Sequence, residues 1–92
     1  MRNVNLYVEM KNLDSDFLAI KSLFESGNVR SMRLLEEQAP TKMSRSLGIN
    51  YNSYLEKLRC PDKFTIRHLL KMAKLCELDP LLIFNVIRTE VS

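Results

Sequence analysis

This 92-residue sequence has no tryptophan, one histidine, two cysteines and two glycines. Cys60 and Cys76 form no CxxC pair, and with His68 alone beside them a Cys/His zinc site is short of ligands. No metal and no cofactor are expected, and the two thiols are read as inert or buried. No P-loop, no glycine-rich dinucleotide fingerprint and no HExxH occurs. Asp14 and Asp16 stand two apart, a spacing at which two side chains of one helix do not face each other. No cleft of useful size is expected in so short a helical chain, so the sequence does not read as an enzyme. No apolar run approaches the roughly 18 residues of a membrane span. Met1-Arg2-Asn3-Val4-Asn5 lacks the long apolar stretch of a secretion signal, which makes the cytoplasm the expected compartment.

What is present is ordinary in amount and uneven in place. The length suits one compact domain. Hydrophobic residues make up 46% and charged residues 27%, values typical of a globular protein. The net charge is only +3, but residues 41–74 carry eight Lys/Arg against Glu56 and Asp62, a local +6. Residues 1–40 balance to −1 and residues 75–92 to −2. A local positive surface attracts polyanions. The same lysines also fit a solvated face that keeps the chain in solution.

The spacing predicts an all-α bundle of five to six short helices. Residues 1–12 form an arm or a short strand, from the alternation of Val4, Leu6, Val8 and Met10 with Asn5, Tyr7 and Glu9. The helical domain spans 13–92. A first helix is expected after the cap Asp14 and ends near Gly27, with Leu13, Phe17, Ile20 and Phe24 on one face. A second is expected over Ser31–Gln38, burying Met32, Leu35 and Ala39, stopped by Pro40. A third covers about Thr41–Leu47 and a fourth about Tyr51–Leu58, with Asn50 as cap. Cys60–Phe64 reads as a loop. Thr65 caps a fifth helix reaching about Glu77, with Ile66, Leu69, Leu70, Ala73 and Cys76 as its apolar stripe and Arg67, Lys71 and Lys74 as a basic one. Asp79-Pro80 starts a sixth. Its Leu81, Leu82, Ile83, Phe84, Val86 and Ile87 leave little polar face, so one side is expected to meet a second copy.

The stretch Thr41–Leu58 meets the needs of a helix-turn-helix: Met43 and Leu47 inward at i and i+4, small Ser44 where helices cross, Gly48 at a turn, and Ile49 filling the corner. Met43-Ser44, Leu47-Gly48-Ile49 and the polar helix from Asn50 resemble the lambda-repressor-like (XRE-type) helix-turn-helix family. Phe64-Thr65-Ile66 with Leu69–Leu75 resembles that family's fourth helix, and Cys76–Ile83, around Asp79-Pro80, resembles the start of its fifth. The likeness covers roughly residues 28–88. Two departures stand out: position 57 is Lys, with Leu at 55 and 58 instead, and Arg59–Phe64 lacks the usual glycine. The turn is then one residue longer, or the helix is rotated.

The resemblance implies a DNA-binding transcriptional regulator that reads the major groove of double-stranded DNA with the helix at about 51–58. Base contacts would come from Asn50, Tyr51, Asn52, Ser53 and Lys57. Phosphate contacts would come from Thr41, Lys42, Arg45, Lys63 and Arg67. A homodimer is expected through Leu82, Ile83, Val86 and Ile87 or through the N-terminal segment. Each residue also has a plainer reading: Asn50 and Asn52 as helix caps, one of Tyr51 and Tyr54 in the core, Arg45 paired with a carboxylate, and His68 as structural. The other function class that fits is a protein-interaction module, such as an antitoxin or a regulatory adaptor.

Overall fold

The apolar spacing near the start becomes a helix, α1 (Ser15–Glu25), in the computed structural model, which describes residues 13–92. Asp14 stays outside it, and its carboxylate accepts from the Asp16 N–H at 2.8 Å. That satisfies one of the donors a helix start leaves unpaired. Phe17, Ile20 and Phe24 are buried and Leu13 packs beside them, as their spacing predicts. The strand or arm expected over 1–12, and its part in a dimer, lie outside the described residues.

Met32–Glu37 forms a 3-10 helix rather than the α-helix expected over 31–38. Its apolar positions still point inward, because three residues per turn puts Met32 and Leu35 on one side. Ala39 is only half-buried, and at φ 50° it carries the chain sharply into Pro40. The next helix, α2 (Pro40–Leu47), buries Met43, Ser44 and Leu47. Gly48, Ile49 and Asn50 turn the chain into α3 (Tyr51–Arg59). Gly48 sits at φ 72°, a left-handed conformation that glycine adopts without a Cβ penalty.

After a 3-10 turn at Pro61–Lys63 come α4 (Ile66–Cys76) and α5 (Pro80–Val91). Thr65 caps α4: its hydroxyl accepts from the His68 N–H at 3.1 Å, while the Thr65 N–H donates to His68 Nδ1 at 3.4 Å. Asp79 caps α5, accepting from the Leu81 N–H at 3.0 Å. Among the described residues the architecture is all-α and contains no strand. One core joins all five α-helices, with Ile20, Met32, Leu35, Met43, Tyr54, Leu58, Met72, Cys76 and Ile83 fully enclosed.

Two expectations about the core are corrected. Ile66 and Leu70 are exposed at 67% and 47%, and Met72 is buried in their place. The buried face of α4 is set by Leu69, Met72, Ala73 and Cys76, which follow the helical period and turn 66 and 70 outward. Ile83 and Ile87 are in the core and cannot meet a second copy. The apolar girth of α5 is covered by this chain's own α1, α4 and Pro61–Lys63 turn, and Leu81, Asn85, Arg88 and Thr89 face out. Only Cys76 of the two thiols is buried; burial pushes it up to about 12, whereas Cys60 is exposed.

Candidate nucleic-acid interface

The inward side of α3 is Tyr54 and Leu58, at i and i+4 and both fully buried. Leu58 takes the core position, Leu55 is half-buried, and Lys57 lies at the edge. Tyr54 stacks edge-on against Phe64 at 6.2 Å between centroids. Its hydroxyl is buried without a partner, and burial raises its pKa.

The outward side of α3 is polar. Asn50 caps the helix through Oδ1, which accepts from the N–H groups of Asn52 at 2.8 Å and Ser53 at 3.3 Å. Its oxygen is therefore engaged in capping. Tyr51 and Asn52 are exposed, and Ser53 and Lys57 half-buried. All four remain on or beside the accessible face. Asn52, Glu56 and Arg59 follow at i, i+4 and i+7 along its middle. Glu56 is a residue that sequence reasoning missed: counted only as a charge against the basic segment, it proves to sit centrally on the outward row. Its carboxylate accepts from Lys63 Nζ at 3.3 Å.

Cations of the basic segment divide into two sets. Lys42 donates to Asp14 Oδ2 at 2.8 Å and Asp16 Oδ2 at 2.7 Å, Arg59 Nε to Glu36 at 2.9 Å, and Lys63 to Glu56. Lys42 and Lys63, both expected at phosphates, are thus paired within the chain. Asp14 and Asp16 do converge, against the expectation from their spacing, because Asp14 stands outside the helix with extended ψ 135°. Asp14 holds Lys42 above the ordinary lysine range, with Asp16 adding to the effect. Lys42 in turn holds the Asp14 carboxyl below the usual carboxylate range. Among the described residues Arg45, Lys57, Arg67, Lys71 and Lys74 form no ion pair. Thr41, Arg45 and Arg67 are exposed.

No family model, curated protein or solved structure matches this chain.

His68 ties two of the unpaired cations to one neighbourhood. Partial burial first, and then the positive charges of Lys57 on α3 and Arg67 on α4, lower its pKa. A neutral ring is also what its hydrogen bond from the Thr65 N–H requires, since Nδ1 must accept. Lys57 of α3 and Arg67 of α4 thus both act on the His68 ring. Among the described residues, no cluster of three or more His, Cys, Asp or Glu could hold a metal ion. No described helix is long and apolar enough to cross a membrane.

The surface also has two open depressions of about 470 and 460 Å³. They correct the expectation that no hollow of that size would form. The first, bounded by Gly27, Val29, Arg30, Asn85, Val86 and Thr89, contains no acid, histidine or thiol. The second contains Glu36, already held by Arg59, and Glu37.

Proposed function

We propose that this protein is a DNA-binding transcriptional regulator of the lambda-repressor-like helix-turn-helix class, acting in the cytoplasm. In this reading α2 and α3 are the helix-turn-helix, and α3 enters the major groove. The observation that carries it is the disposition of α3: Tyr54 and Leu58 are enclosed while Tyr51, Asn52 and Glu56 stay exposed, beside Lys57 and Arg67, which form no ion pair among the described residues.

Asn52 is the base-reading residue in this account, through an amide able to pair with adenine N6 and N7. Ser53, Tyr51 and Lys57 join it at the groove, and Glu56 can accept from a cytosine amino group. Asn50 acts chiefly as the cap. Arg45 and Arg67 are the principal phosphate contacts, with Thr41 beside them. Lys42 and Lys63 reach phosphate only by leaving their carboxylates. Two copies of such a domain read half-sites roughly 34–36 Å apart. With Ile83 and Ile87 enclosed, a second copy would meet half-buried Leu82 and Val86 or the segment 1–12.

The experiment is duplex binding at rising salt. Log affinity should fall linearly with log salt, with a slope of about −0.9 per phosphate neutralised. Affinity indifferent to salt, or no binding at about 50 mM salt, would leave the interaction-module reading in its place.

A further inference from the structure

Among the cations of the basic segment, Lys42 holds a position that its own helix does not favour. Lys42 is the third residue of α2, in the first turn, where the helix dipole disfavours positive charge and favours anions. Two carboxylates from the start of another helix compensate: Lys42 Nζ donates to Asp14 Oδ1 at 3.1 Å, Asp14 Oδ2 at 2.8 Å and Asp16 Oδ2 at 2.7 Å. The group is accessible, with side chains 42%, 37% and 49% exposed for Lys42, Asp14 and Asp16. One ammonium and two carboxylates leave it net negative. A backbone phosphate that approached the Lys42 ammonium would therefore meet two carboxylates already bound there.

We propose that Asp14 and Asp16 are a built-in competitor for nucleic-acid phosphate, so that these two acids at the start of α1 set how tightly the α2–α3 face grips a DNA backbone. This rests on the reading of that face as DNA-binding. In the free protein Lys42 is neutralised internally and releases no counterion from DNA. On binding, it either stays clasped and contributes nothing to the salt slope, or exchanges two carboxylates for one phosphate. Removing the acids frees the ammonium and removes their repulsion of the backbone. The pairing is a local charge contact, so its effect falls on all sequences alike.

Asp14→Asn with Asp16→Asn is the informative variant, because Asn caps a helix as well as Asp does and the fold is kept. The unmodified protein and the variant are titrated with one duplex across a salt series, and thermal unfolding is followed in parallel. The variant should bind about fivefold more tightly, the scale of exposed ion pairs, and its salt slope should steepen by roughly one phosphate contact. Adding Lys42→Gln to the variant should abolish the steepening. Unchanged affinity and slope in a variant that is folded, beside an unmodified protein that binds with the expected slope, would overturn the competitor and leave the DNA reading standing. No binding by either protein would overturn both; binding gained only by the variant would support both.

Discussion

The two sides of α3 are built from the same nine residues and obey different rules. Inward, Tyr54 and Leu58 are wholly enclosed in the core, with Tyr54 edge-on against Phe64. Outward, Asn52, Glu56 and Arg59 are constrained by solvent and by a few ion pairs. The inward side anchors the helix to the core; the outward side is then free to be chosen for what it recognises. If this division is right, substitutions on one side change stability and substitutions on the other change binding, with little crossover.

The largest effect should come from Leu58→Ala. Truncating a fully buried leucine removes apolar burial and leaves a cavity, costing about 2–5 kcal/mol, measurable by denaturant unfolding. On the outward side, Asn52→Ala should leave unfolding almost unchanged, since the Asn52 backbone N–H still meets the Asn50 cap. It should lower discrimination at one base position by about 1–3 kcal/mol in binding to single-substituted duplexes. An equal loss at every sequence would break the division.

Tyr54→Phe sharpens it further. The buried hydroxyl has no partner, and an enclosed polar group without one costs about 1–3 kcal/mol. Its removal should leave stability equal or higher while the ring still packs against Phe64. A clear loss of stability would mean that the hydroxyl is satisfied after all. The smallest effect concerns His68. Its folded pKa is lowered, so the unfolded chain takes up the proton first as pH falls. The stability it contributes is full above the ordinary histidine range near pH 6.5. That stability declines as pH falls from there through the folded value. His68→Gln should flatten this part of the stability-against-pH curve.

Much of the fold was legible because it depends on local chemistry. Asp14, Asn50, Thr65 and Asp79 were each read as caps and each accepts a backbone N–H. Helical spacing placed Phe17, Ile20, Phe24, Met43 and Leu47 inside. It failed at Ile66 and Leu70, where an apolar row adjoins the buried face without belonging to it, and composition alone does not fix the rotation of a helix. Reading Ile83 and Ile87 as part of a dimer surface failed for a similar reason: the apolar residues of α5 exceed one face, and only the packed structure shows α1 and α4 covering the second.

The candidate site was legible in its residues and not in their company. The sequence marked Lys42 and Lys63 as cations. It carried no signal that Lys42 meets acids 26 and 28 residues earlier, or that Glu56 would take Lys63. The same blindness hid Glu90, whose carboxylate accepts from the Met32 N–H at 2.9 Å and the Ser31 hydroxyl at 3.1 Å, binding the end of α5 to the 3-10 helix. Contacts between distant segments depend on how helices cross, which no local pattern encodes.

The central claim is that the outward side of α3 reads DNA sequence beside a positively charged flank. Selection of duplexes from a random pool by the purified protein tests it most directly. Enrichment of one short sequence, lost or relaxed at a single position with Asn52→Ala, is the expected result. A retained pool with no sequence in common, or no retained duplex at low salt, would contradict it.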